Sequence, residues 1–462
     1  MLGVQLAELL DGAPPGVEDA LDLVTGFDDA LANGLARLSE ERAAALAALA
    51  GSVGATPLAA RVAEAAEKVA AGSIADEHLT ALAGARTALF GAVHDALLAR
   101  LDAALGRSRA TWEEPGPLAA VPENLLVGSR SWLTELAIAG WRGVDHDLVS
   151  ASSQTVEALL AEPSLRRLAV LLDGLAAELR ASAPVATMDR LPARRWADLW
   201  ARALLLSQAG SWPGEATHTV SGRLLILGVD VHEHATAMQA QVHAILEPAG
   251  GEPSRLVRTS VAATKVDTVV GPFLWQLLRG VPVLLGALAE HRSLDITDMP
   301  LLGSGDLVWH DDRATAGEPA DPFATARVQL AGASAPAAPP LERHPVRIAE
   351  PVLLEGYTVT GDEFVLDGNA LAVEVDRLPS CGPLTPELVA ASTACLGLLR
   401  WDAGRWSVRP LAVQATVKKK PVVAHTGDWA LGPTDQKVLK AGARLGDPVA
   451  VLRERAGRLL RK

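Results

Sequence analysis

The sequence predicts an α+β protein, with an all-helical N-terminal half followed by a mostly antiparallel β C-terminal half and a terminal helix. Three observations predict it. Apolar residues recur at steps of three and four through the first 210 positions. They alternate from about 218 onward, in segments rich in Val and Thr. After Pro433 a helical pattern returns, interrupted at Gly446-Asp447-Pro448.

The elements follow in order. Leu82, Ala85, Leu89, Val93, Leu97 and Leu101 form one stripe on a helix that opens near Asp76. Leu165, Leu168, Leu172, Leu175 and Leu179 repeat the pattern beyond Pro163. Another helix begins behind Asp189 and Pro192, with Trp196 and Trp200 on one face. Gly106 to Pro122, rich in Pro and Gly, reads as a loop dividing the helical half. Residues 218–231 read as extended. Met238, Ala240, Val242, Ala244 and Leu246 then alternate with Gln239, Gln241, His243 and Ile245, a strand with one buried face. Arg255 to Val270 alternates similarly behind the turn Gly250-Gly251, and Val281 to Ala289 reads as a core helix. A second β-rich block is expected over 324–375, broken by the proline-containing linker 331–340. A helix is expected from Pro383 or Thr385 to Leu399, and a strand from Arg405 to Val417. The expected domains are 1–110, 118–212, 215–330 and 341–462.

Composition bounds the function. The chain has 462 residues, 49% of them hydrophobic and 21% charged, which excludes wholesale disorder. Its net charge of −13 disfavours coating of nucleic acid by the whole surface. No apolar run is long enough to span a bilayer, and the first residues lack the basic start and apolar stretch of a signal peptide. The expectation is a cytoplasmic protein without a membrane partner. Cys381 and Cys395 alone cannot build a disulfide framework or a four-cysteine metal site.

Three clusters carry candidate chemistry. In Asp230-Val231-His232-Glu233-His234, a strand would point His232 and His234 to one face about 7 Å apart. Asp230, His232 and His234 are therefore candidate Zn²⁺ ligands, with His243 on the next strand. The blander reading is a solvated strand end, because H-x-H supplies only two ligands. Gly305 to Arg313, containing Asp306, His310, Asp311 and Asp312, can orient a base or hold a hard cation, or simply form a strand ending in a turn. Asp145-His146-Asp147 reads as a helix cap. Phosphate-loop, H-E-x-x-H and G-x-S-x-G signatures are all missing. That leans away from an enzyme and calls for no cofactor.

Charge gives a fourth lead. Residues 434–462 hold eight basic side chains against three acidic ones. Lys437, Lys440, Arg444, Arg453, Arg455 and Arg458 on this segment, with Lys418, Lys419 and Lys420 upstream, are candidate contacts for an acidic protein or a nucleic-acid backbone. The tail can equally pack on the chain's own acidic body.

The segments Arg195-Trp196-Ala197-Asp198-Leu199-Trp200, Gly228-Val229-Asp230, Lys265 to Gly271 and Gly305 to Trp309 resemble those of uncharacterised bacterial proteins. Those proteins are encoded beside a MoxR-type AAA+ ATPase, a von Willebrand A-domain protein and a SWIM zinc-finger protein. The resemblance covers about 190–320 and contains no catalytic motif. It implies an accessory adaptor or scaffold whose partner is the ATPase or the A-domain protein, and no functional residue carries over. The alternatives are a metal-dependent hydrolase built on Asp230, His232 and His234, and a nucleic-acid-binding module built on the basic tail.

Overall fold

The computed structural model describes every residue except 113–121, 209–217, 235–236, 267, 446–447, 452–453 and 455–462. The helical half comprises α1 (Gly3–Leu10), α2 (Val17–Asn33), α3 (Glu40–Ser52), α4 (Ala59–Ala70), α5 (Asp76–Leu105), α6 (Glu123–Ala139), α7 (His146–Ser150), α8 (Ser152–Ala161), α9 (Arg166–Ala181) and α10 (Ala193–Leu206). Helices before residue 106 and after residue 122 share one core, which includes Leu46, Val62 and Leu82 together with Leu133, Leu172 and Trp200. The predicted tryptophan pair on α10 is fully buried. Each indole N–H finds an acceptor, Trp196 at 3.0 Å from Glu178 Oε2 and Trp200 at 2.9 Å from the Leu133 carbonyl. Large rings can therefore fill the core with their polar edges satisfied.

α5 is the beam of the molecule. Its leucine stripe starts in the helical core at Leu79 and Leu82, then continues through Val93, Leu97 and Leu101 into the core of the second β unit. Arg86, on the same helix, is 1% exposed and forms a two-pronged pair with Asp28 of α2, at 2.6 and 3.0 Å.

The first β unit contains β1 (His218–Glu233), β2 (Ala237–Pro248), β3 (Arg255–Thr264), α11 (Pro282–Glu290), β4 (Arg292–Leu301), β5 (Asp306–Leu307) and β6 (Ala314–Pro319). β1 pairs with both β2 and β4, β2 with β3, and β5 joins β3 to β4. The ring 1-2-3-5-4-1 closes, β3 and β5 run parallel, and α11 sits between β3 and β4 in sequence. This is the connectivity of a five-stranded Greek-key barrel of the OB type. The even positions of β2, Met238 to Leu246, fill the barrel core as the alternation predicts. Ile245, on the opposite face, is also buried, because a second layer covers it.

That layer belongs to the second β unit: α12 (Pro322–Gln329), β7 (Ala349–Glu355), β8 (Thr358–Thr360), β9 (Glu363–Leu366), β10 (Asn369–Val373), α13 (Pro386–Ala390), β11 (Ser392–Asp402), β12 (Arg405–Val417) and β13 (Lys420–His425), with α14 (Gln436–Leu445) after it. Its sheet runs β7-β11-β12-β10-β9-β8, with β13 also on β12. Phe323 and Leu330 wedge between Leu227 of the barrel and Leu396 of β11.

Two expected elements differ. The β block expected from 324 begins with α12, where Asp321 accepts from the Phe323 amide at 2.9 Å and Pro322 occupies the first turn. The helix expected to reach Leu399 stops at Ala390, and Ser392–Asp402 is a strand. Its Ala394 and Leu396 face α12 while Cys395 and Leu399 face the other core. A strand buried on both faces has no alternation to reveal it.

Candidate functional site

Asp230 is a buried ion-pair centre. β1 carries it to the seam between the two β units, where it is 4% exposed. Both its oxygens lie 3.0 Å from Arg409 Nη1 of β12, and Arg400 of β11 stands 3.7 Å away. Arg409 also donates to Glu374 at 3.0 Å, so two arginines face two carboxylates. His232 Nε2 lies 3.2 Å from Asp230 Oδ2. Burial pushes the Asp230 carboxyl up, yet His232 and Arg409 outweigh it and hold the group well below the usual carboxylate range. His234 is exposed beyond the strand end. Asp230 and His232 thus come together while His234 stands apart, and the lone pairs a metal would need already face guanidinium groups.

Three of the other candidate carboxylates have structural partners. Asp306 pairs with Arg258 through two contacts of 2.9 and 3.1 Å. Asp311 caps the start of α11, accepting from the Val283 and Leu284 amides at 3.0 and 3.2 Å. Asp145 caps α7 through the Leu148 amide, as its spacing predicts. Both cysteines are buried, and burial pushes the Cys381 thiol up to about 12. Lys418, Lys419 and Lys420 are exposed at the β12–β13 turn, the first two with φ of 50° and 65°. Lys437 and Lys440 are exposed on α14, which also carries Arg444. Arg453, Arg455 and Arg458 lie outside the described residues.

Sequence reasoning missed a cleft between the layers. A cleft of about 960 Å³ opens where the barrel, the helical half and the 335–351 segment meet. One wall is the outer face of β2 and β3, with Gln239, Gln241, His243 and Arg258, flanked by the β4–β5 loop at 302–305. The opposite wall brings His94 of α5, Arg109, Trp112, Arg167, Arg347 and Glu350. Five arginines line the cleft (Arg109, Arg167, Arg258, Arg347 and Arg400) against three carboxylates, Asp306, Glu342 and Glu350.

Their pairing is uneven. Arg109 is held by Asp102 at 2.7 Å and Glu350 at 3.1 Å. Burial pushes Glu350 up, but Arg109 and Arg107 overcome it and keep it ionised. Arg167 and Arg347, by contrast, share a single carboxylate, Glu342. The desolvating walls, then Arg202, with Arg167 and Arg258 adding to the crowding, push Arg347 down to about 10. Crowded cations that share one acid favour a further anion. His243 lies at the wall of the cleft with its side chain buried. It is 1% exposed, its buried Nε2 has no partner among the described residues, and burial, reinforced by Arg258, pushes it down to about 4. At neutral pH it is an uncharged imidazole on the wall of the cleft.

The signal for this site in the sequence was faint: arginines scattered over separate segments, and the polar odd positions of β2. No family model, curated protein or solved structure matches the chain.

Proposed function

We propose that the chain is a non-enzymatic adaptor that holds an anionic segment of a protein partner in the arginine-lined cleft. The partner class implied by the resemblance of residues 190–320 is a MoxR-type AAA+ ATPase or a von Willebrand A-domain protein. The carrying observation is the cleft itself: in a chain of net charge −13, five arginines gather around one concavity, and two of them, Arg167 and Arg347, share the single carboxylate of Glu342. Oriented guanidinium groups recognise carboxylates in two-pronged fashion, and a mostly acidic body repels anions elsewhere. Binding of a fluorescent glutamate-rich peptide tests the reading, with saturable anisotropy that weakens with salt as the expected result. Absence of binding at low salt rejects an acidic segment as the ligand. Capture of the ATPase or A-domain protein from native lysate, lost when Arg167 and Arg347 are replaced, tests the partner class.

Single-stranded nucleic acid is the second reading. It is favoured by the use of the β2–β3 face and the β4–β5 loop, the surface with which OB-type barrels take oligonucleotides. Among the described residues Trp112 is the one indole or phenyl ring lining the cleft, which leaves little for base stacking. A labelled oligothymidylate that binds more tightly than the acidic peptide, with a steep salt dependence, selects this reading. Loss of that binding on deleting 434–462 would assign it to the basic tail.

A further inference from the structure

We infer that His291, His425 and Asp428 form a transition-metal site, of the Zn²⁺ class, that staples the barrel to the second β unit. His291 follows α11 and His425 ends β13, so the two imidazoles come from different β units. Their ring centroids are 4.2 Å apart. Asp428, in the turn after β13, puts Oδ1 3.0 Å from His291 Nε2. One ligand atom from each of the three lies within 4.8 Å of the others. Ligands about 2.0–2.1 Å from a tetrahedral Zn²⁺ are separated by about 3.3 Å, so small side-chain rotations complete the set. Among the described residues this is the set of three potential ligands brought together, whereas Asp230, His232 and His234 are not.

The backbone presents the three groups in fixed positions. His291 adopts φ of 52°, and its carbonyl accepts from the Ala320 amide at 2.7 Å. The 425–428 turn is tied to the barrel by Thr426 Oγ1, which donates to the Val229 carbonyl at 2.5 Å. A Cβ at Gly382 would stand 2.7 Å from the Thr426 carbonyl, so the neighbouring chain clamps the turn from the other side. Within the turn, Asp428 Oδ2 accepts from the His425 amide at 3.0 Å, which orients the carboxylate. Phe323 packs its edge against the buried His425 ring. His291 and Asp428 are 34% and 22% exposed at the side chain, leaving one side open to solvent for a water as the fourth ligand. Two imidazoles and one carboxylate match a borderline-soft divalent ion rather than Mg²⁺ or Ca²⁺, which take oxygen ligands.

The test is a calorimetric titration of Zn²⁺ into full-length chain that carries no histidine tag and has been stripped with chelator. Binding of one Zn²⁺ per chain is expected, with a rise in the thermal midpoint. His291→Gln and Asp428→Asn, made separately and checked for native circular dichroism, should each weaken it by at least about tenfold, the floor for loss of even an outer-shell partner. A His232→Gln/His234→Gln double variant should bind as the parent does. Substitution of Co²⁺ should give the visible absorption of a tetrahedral centre, absent in Asp428→Asn. The proposal is overturned if the parent takes up no Zn²⁺. It is equally overturned if uptake survives both single variants, or if uptake follows His232 and His234 instead.

Discussion

Two arginine-rich centres in this protein use the same side chains to opposite ends. Around Asp230, Arg400 and Arg409 meet two carboxylates, and Asp230 and Arg409 are buried in the seam between the β units while Arg400 also reaches the cleft. Around Glu342, Arg167 and Arg347 meet one carboxylate at the edge of a cleft open to solvent. The first is balanced and therefore structural; the second is short of negative charge and therefore receptive. What separates a scaffold from a site is thus the count of partners and the access of solvent, rather than residue type.

Acidification presses on the buried part of this comparison and should have the largest effect. His243, His344 and His425 are each pushed down to about 4 in the folded protein, against 6.5 as their ordinary value. In that window the unfolded chain binds more protons, so stability is fully present above about pH 6.5 and is lost as pH falls toward 4. By about pH 5 each histidine should cost on the order of 2 kcal/mol relative to neutrality. Asp230, held low, keeps its contribution until the pH falls below its ordinary value of 3.8. Denaturant midpoints measured from about pH 7 to 4 should show the first loss well before any carboxylate step. A flat profile down to about pH 4.5 would contradict the buried neutral histidines.

Breaking the balanced centre comes next. Asp230→Ala leaves Arg409 and Arg400 facing Glu374 alone, and removal of one partner from a buried pair costs about 3–5 kcal/mol. Chemical denaturation should register that loss. A change below about 1 kcal/mol would mean that the seam is not held by charge.

The receptive centre should behave in the reverse way. The Arg167→Ala/Arg347→Ala double variant removes half-exposed cations whose pairs contribute no more than about 1 kcal/mol each to stability. Its affinity for a glutamate-rich peptide should nevertheless drop by tenfold or more, about 1.4 kcal/mol. The smallest effect is expected from His243→Leu. Removing the buried, unpartnered Nε2 should leave both stability and peptide affinity unchanged within about 1 kcal/mol. A large loss of stability would show that His243 serves the fold.

Much of this architecture was legible in the sequence. The leucine stripe of α5 and the alternation along β2 reported real faces, because each element has a buried side that its periodicity must respect. β11 was not legible, since cores on both its faces erase the alternation, and α12 was announced only by Asp321-Pro322. The chemistry was harder still. Asp230 and His232 stood out as near neighbours, but the guanidinium that neutralises Asp230 comes from β12. The cleft arginines come from β3, α9, β11 and the connecting segments, and only the docking of three layers brings them to one surface. Local spacing reports the contacts within an element, whereas long-range pairing decides which polar groups remain unsatisfied.

The most direct measurement of the central claim is an anisotropy titration of the labelled glutamate-rich peptide against the parent chain and the Arg167→Ala/Arg347→Ala variant, with thermal midpoints measured alongside. Receptive arginines predict saturable, salt-sensitive binding by the parent, a loss of tenfold or more in the variant, and nearly equal midpoints. Equal affinity for the two proteins, or a midpoint that collapses together with binding, would make the cleft another structural seam like the one around Asp230.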